Sequence, residues 1–310
     1  MRIAFIGHHD FGKAALEAFI ARGDTIAGVF CAPEKPGEKA DPVRLATQAR
    51  GLPLFQLKSL RNDAAVQAMR DLDADLGVMA YVLQFASQDF VNTPRHGTIQ
   101  YHPSLLPLHR GPSSINWPIA LGAAQTGLTI FRPTDGLDEG PVILQRAVAI
   151  GPDDTLGDVY FKKLFPLGVE ALLEASTLVV SGQHTEQAQD EAGASYEGWF
   201  HDEESKIHWG DHVDQIYNLI RACNPAPGAW TTVAGEKVYL FDCRKRTISR
   251  HGQIRGKPGE ITAITGESIV FDAQGGEIEV RRVRPEGGAK VNAGEFAKAR
   301  GLVSVFAGRP

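Results

Sequence analysis

The chain has 310 residues, 43% of them hydrophobic, and a formal net charge of −5. This is enough apolar material for more than one ordinary core, so two domains are expected, and the net negative charge argues against a general polyanion binder. Cys31, Cys223 and Cys243 are scattered without C-x-x-C spacing, which gives no zinc signature and points to a reducing compartment. The apolar start in "MRIAFIGHHD" is too short for a signal peptide. No run approaches the ~20 apolar residues of a membrane span, so a cytoplasmic chain with no membrane partner is expected.

"RIAFIG" (2–7) reads as a buried parallel strand closed by Gly7, and "GKAALEAFIARG" as a helix with a glycine stop. "TIAGVFCA" is a second strand. "DPVRLATQARG" is a helix with Asp41 as N-cap and Pro42 in its first turn. "LPLFQL", "ADLGVMAYV" and "GTIQYHP" are further strands, and "DAAVQAMRDLD" is a helix between the first two. Strands alternating with helices predict an α/β fold, a doubly wound and mostly parallel sheet of Rossmann-like type. "TGLTIFRP" and "PVILQRAVAI" read as an antiparallel flank, and the segment from "TLGDVY" to "LVVSG" as one long helical stretch.

The first 182 residues are thus expected to form one α/β domain. The polar, acidic and aperiodic stretch 183–205 reads as a linker. Beyond it, the amphipathic "HVDQIYNLIRAC" and short strands with glycine turns predict a small OB-like β-barrel over 206–310. From Ile207 onward there are 15 Lys/Arg against 11 Asp/Glu, a balance of +4 that leaves −9 for residues 1–206. The stretch 243–257 holds six basic residues and no acid. It reads as a solvated loop or as a phosphate or RNA contact.

Some motifs tempt and fail. "GHHDFGKA" has the G-x-x-x-x-G-K spacing of a phosphate-binding loop, but Ala14 stands where a hydroxyl should hold Mg²⁺, and the dinucleotide G-x-G-x-x-G is absent here. His8, His9 and Asp10 are neighbours on one loop and seldom converge on a metal. "HWGDH" spaces His208 and His212 at i, i+4 without the glutamate of H-E-x-x-H. No metal is expected.

The stretch "QYHPSLLPLHRGPSSINWPI" (100–119) carries two histidines, one arginine and four prolines, and no acid. His102 falls just past a strand end, where ligands bind in open α/β sheets. A lone histidine is usually structural. This one precedes Pro103 in a loop stiffened by Pro107 and Pro112, which suits a side chain that must be held in place. Its candidate partner is Asp138, between two glycines in "DGLDEGP" (135–141), whose carboxylate would fix the imidazole's tautomer and favour its charged form.

"HPSLLPLHRG" followed by "GLDEGP" resembles the folate-dependent formyltransferase family, which uses 10-formyltetrahydrofolate. The resemblance spans the chain, through "ADPVRL", "QFASQDF", "GPSSINW" and "PDDTLGDVYFKKLFPLGV", and in the second half through "IYNLIRACNPAPGAW" and "RPEGGAKVNAGEF". It is nearest to the hydrolase domain of 10-formyltetrahydrofolate dehydrogenase. It implies a catalytic Asn, His and Asp. His102 and Asp138 match the last two, and Gln100 stands where the family has Asn and the hydrolase domain an apolar residue. Gln100 would then be a second donor to the oxyanion, or plain strand filling. The resemblance further implies a folate held by Leu83, Gln84, Phe85, Ala86, Ser104, Asp135 and Gly136, with Ser104 and Arg110 shaping the loop. The implied reaction removes the formyl group from 10-formyltetrahydrofolate by hydrolysis or by transfer to a non-tRNA amine. Formylation of initiator Met-tRNA is an alternative, although the short, mixed-charge "CAPEKPGEKADPVRL" does not favour tRNA. A weakly active folate-binding protein is another.

Overall fold

A computed structural model describes residues 1–82, 84–248 and 257–302. The chain folds into two compact units built from interleaved segments: Met1–Gly111, Thr126–Val148 and Phe161–Tyr196 in the first, Pro112–Gln125, Ala149–Tyr160 and Glu197–Pro310 in the second. In chain order the elements begin with β1 (Arg2–Gly7), α1 (His9–Arg22), β2 (Thr25–Phe30), α2 (Pro42–Ala49), β3 (Leu54–Phe55), α3 (Asp63–Asp71) and β4 (Leu76–Ala80). Then come α4 (Gln88–Asn92), β5 (Thr98–His102), α5 (Asn116–Ala120), β6 (Gln125–Phe131), β7 (Val142–Ala149), α6 (Leu156–Val159) and α7 (Phe165–Val180). The chain continues with α8 (Val213–Ala222), β8 (Ala229–Val233), β9 (Glu236–Thr247), β10 (Ile261–Ile264), β11 (Ile269–Ala273), β12 (Gly276–Pro285), β13 (Val291–Asn292) and α9 (Ala293–Ala299).

The first unit holds a seven-stranded sheet in the order β3-β2-β1-β4-β5-β6-β7. Strands β1 to β5 pair in parallel and β6 pairs antiparallel to β5. This is the expected mostly parallel, Rossmann-like sheet, with the strand order reversing between β1 and β4. Alternation along the strands feeds two cores. Phe5 meets Phe19 of α1 edge-on, whereas Ala4 and Ile6 join Met69, Phe90 and Val91 from α3 and α4. On the α1 side, Tyr101 stacks on Phe11, and Gly168 of α7 lies so close to both rings that a Cβ there would come within 2.6 Å of Tyr101. The Asp41 cap is as expected: its carboxylate accepts the Val43 N–H at 2.8 Å, with Pro42 at the helix start.

Local details depart from the sequence reading. Helix α1 starts at His9, three residues before the expected glycine, because the Asp41 carboxylate also takes the His9 N–H. Residues 9–13 are therefore helical and cannot wrap a phosphate. The long helical stretch is broken: α6 is closed by a Thr155/Asp158 capping box, a π-turn covers Tyr160–Leu164, and α7 begins with Pro166 in its first turn.

The second unit is an antiparallel sheet in the order β10-β11-β12-β9-β8, with β13 beside β12. Among the described residues no ladder joins β8 to β10. Trp209 stacks on Phe271 over this sheet, and the apolar face of α8, with Val213, Ile216 and Ile220, completes the core. Cys243–Thr247, read as loop, continue β9. Lys245 pairs with Asp214 at 2.6 Å and Arg246 with Glu277. The remaining basic residues at 249–256 lie outside the described residues. No helix among the described residues is long and apolar enough to cross a membrane.

Candidate active site

Strand β5 sets the first side chains. Thr98, Gln100 and His102 alternate onto one face, and Tyr101 onto the other. Thr98 donates to the Val91 carbonyl of α4, which identifies the face that Gln100 and His102 share. His102 ends the strand and is 6% exposed. Its Nε2 lies 2.9 Å from the His109 carbonyl oxygen. A carbonyl only accepts, so Nε2 carries the proton of that bond. This leaves Nδ1 as the nitrogen that can exchange a proton, and the Asp138 Oδ2 stands 3.5 Å from it. The two residues paired on sequence grounds are thus together.

Asp138 reaches His102 by an unusual route. Strand β6 runs antiparallel to β5, with Thr129 opposite His102 and Phe131 opposite Gln100. The chain therefore leaves β6 away from His102 and must return over residues 132–141. Asp138 adopts φ 57°, and its Oδ2 accepts the Gly111 N–H at 2.9 Å. Gly140 admits no side chain, since a Cβ would overlap the Arg132 carbonyl oxygen.

The other expected site residues divide. Gln100 is half-buried, and among the described residues its amide makes no hydrogen bond. Ser104 is fully buried and its hydroxyl donates to the Leu108 carbonyl at 2.6 Å, so it braces the loop. Leu83 lies outside the described residues. Gln84 donates to the Leu57 carbonyl at 2.9 Å, Phe85 is 61% exposed beneath the Arg61 guanidinium, and Ala86 pairs with Leu60. Asp135 is exposed, and Gly136 lies against the Glu139 side chain.

His8, next to the first strand, is structural. His8 is buried, accepts the Ala32 N–H at Nε2 (2.7 Å) and donates from Nδ1 to the Tyr81 carbonyl (3.2 Å). Burial holds its pKa below the usual histidine value, so it is neutral and both nitrogens are used. Burial also pushes the Cys31 thiol up to about 12, which leaves it unreactive. His212 caps α8 and His208 is exposed. Among the described residues no group of three or more His, Cys, Asp or Glu could hold a metal ion.

What sequence reasoning missed is the role of the supposed linker. Residues up to Tyr196 belong to the first unit. Ser195 accepts the His109 N–H at its hydroxyl (2.8 Å) and the Arg110 N–H at its carbonyl (2.9 Å). Arg110 is fully buried, and its guanidinium is taken up by Gln189, Glu191 and Tyr196. These partners lie 79 to 86 residues away, with no local spacing to announce them.

Comparison with known proteins agrees with this architecture. The family model for formyl transferase matches residues 1–175, and that for the formyl transferase C-terminal domain matches residues 200–301. The mitochondrial 10-formyltetrahydrofolate dehydrogenase of Mus musculus is 35% identical over 96% of this chain. The chain spans about a third of that protein's length (33%). A methionyl-tRNA formyltransferase of Geobacter metallireducens is 32% identical over 96% of this chain and 94% of its own. Among solved structures, HypX from Aquifex aeolicus in complex with tetrahydrofolic acid superposes with a TM-score of 0.66 at 19% identity, covering 96% of this chain and 47% of that one.

Proposed function

The chain belongs to the formyl transferase family, and from that premise we propose that it removes the formyl group of 10-formyltetrahydrofolate, with water or a small non-tRNA amine as acceptor. The observation that carries this reading is the preassembled pair of His102 and Asp138 at the carboxyl end of β5, with the Gln100 amide on the same face. The acceptor's lone pair adds to the formyl carbon and gives a tetrahedral intermediate. His102, as imidazolium, and the Gln100 amide stabilise the oxyanion. Asp138 takes the proton released by the acceptor, and His102 Nδ1, the nitrogen not held by His109, delivers a proton to N10. The C–N10 bond then breaks, releasing tetrahydrofolate with formate or a formylamine. Leu83, Gln84, Phe85, Ala86, Asp135 and Gly136 would line the folate, and no metal takes part.

Water or a small amine is favoured because the short segment between β2 and α2 is mixed in charge, with Lys35 and Lys39 balanced by Glu34, Glu38 and Asp41. There Glu34 pairs with Arg44 and accepts the Asp41 N–H. Formylation of initiator Met-tRNA is the second reading, favoured by the near end-to-end match to the Geobacter enzyme. The test is consumption of 10-formyltetrahydrofolate with water alone, with amines such as glycinamide, and with charged initiator tRNA. Turnover only with tRNA would transfer the assignment to the second reading. Binding without turnover under all three conditions would leave a folate-binding protein and sink both.

A further inference from the structure

The Gln189 side chain uses every hydrogen-bonding position it has. Its Oε1 accepts from Arg110 Nε at 3.1 Å and Nη2 at 2.8 Å. Its Nε2 donates to the Asp138 carbonyl at 2.8 Å and the Gly140 carbonyl at 2.7 Å. An amide has two acceptor lone pairs and two N–H donors, so the group is saturated and its orientation is fixed. Turned over, it would aim N–H groups at a guanidinium and an oxygen at two carbonyls. One side of this amide therefore grips the loop that carries His109, the residue whose carbonyl holds His102. The other side grips the backbone of Asp138 itself, which sits at φ 57° and needs external support to stay there.

We propose that Gln189 is a positioning residue for the proposed deformylation: its amide couples the Arg110 loop to the Asp138 backbone and so sets the distance between the Asp138 carboxylate and His102 Nδ1. Glu191 and Tyr196 complete the Arg110 shell, and Tyr196 also donates to Glu139 at 2.7 Å, so the neighbouring carboxylate is tied to the same segment. Of these groups only Gln189 touches both Arg110 and the main chain of Asp138.

A nearly isosteric change separates this role from simple burial of Arg110. In Gln189→Glu one carboxylate oxygen still accepts from the guanidinium, while the other meets the two carbonyls with no proton to give. The inference rests on the assignment of His102 and Asp138, so His102→Ala is run beside it. The measurements on the full chain are the melting temperature, the Kd of 5-formyltetrahydrofolate as a stable folate probe, and kcat and KM for 10-formyltetrahydrofolate. The expected result is a melting temperature and Kd near the parental values with kcat lowered about tenfold or more, since small misplacements of acid/base groups are felt mainly in the chemical step. Gln189→Met, which loses both sides, should lower kcat and the melting temperature together. Parental kcat in Gln189→Glu overturns the positioning role. So does a Gln189→Glu loss wholly explained by a lower melting temperature, because that is what a purely structural role gives. Parental kcat in His102→Ala would instead overturn the underlying catalytic assignment.

Discussion

Asp272 is held in an unfavourable state at neutral pH, and Asp272→Asn should relieve it. The residue lies on β11 directly opposite Glu277 of β12, is 1% exposed, and has both carboxylate oxygens buried without a hydrogen-bond partner among the described residues. Burial first, then the Glu277 and Glu260 carboxylates, push its pKa from 3.8 up to about 6. A rise of about 2 units, at ~1.4 kcal/mol per unit, corresponds to ~3 kcal/mol. Because the folded chain binds this proton more tightly than the unfolded one, the protonated acid's contribution is fully present below about pH 4 and is lost as pH rises through about 6. Arg246, paired with Glu277, limits the repulsion and makes ~3 kcal/mol a ceiling. The asparagine variant keeps a neutral group of the same shape at every pH. Urea unfolding of parent and variant, followed by tryptophan fluorescence from pH 4 to 8, should give stabilities that agree near pH 4. They should separate by ~2–3 kcal/mol in the variant's favour at pH 8. A stability difference independent of pH would refute the reasoning, whatever its size.

Other predictions concern the first unit. His102→Ala should fold and bind folate but lose about 10²-fold or more in kcat, as removal of a positioned acid/base does; steady-state deformylation kinetics checks this. If Gln100 donates to the oxyanion, Gln100→Ile should slow turnover by roughly 10²–10³-fold with folate binding intact, whereas equal hydrolysis would mean an apolar side chain serves there. In the same assay with an added amine, a gain in transfer by Gln100→Asn would show that the longer side chain restrains the transferase reaction. Gly140→Ala should displace the loop bearing Asp138, because the new methyl overlaps the Arg132 carbonyl oxygen. Its kcat should fall at least as far as in Asp138→Asn, and unchanged kinetics would show that the loop yields freely.

The parts of the fold that were legible in the sequence are those written locally. Apolar runs such as "RIAFIG" and "LGVMA" became central strands because burial on both faces leaves nothing else for them to be. The Asp41–Pro42 pair announced its helix. Within the site, His102 and Asp138 could be paired from chemistry and resemblance, but the groups that hold them could not. Gln189, Glu191 and Tyr196 looked like solvated linker because their partner, Arg110, is distant in sequence. The basic half of β9 misled in the same way. Lys245 and Arg246 are spent on Asp214 and Glu277, and Asp242 at φ 51° interrupts the alternation that would have marked one continuous strand. Polar periodicity fails as a guide wherever charges find partners across the fold.

The interleaving of the two units has a consequence for how the molecule can be cut. The sequence reading divided the chain once, within 183–205, yet in space each unit is assembled from three separate pieces. A fragment beginning at residue 206 would carry α8 without α5, although the Asn116 amide of α5 donates to the Ala222 carbonyl at 2.8 Å. It would also strand Tyr217 and Arg221, whose partners Asp153 and Asp154 lie on the excised side. A single cut within 183–205 therefore leaves neither of these compact units whole.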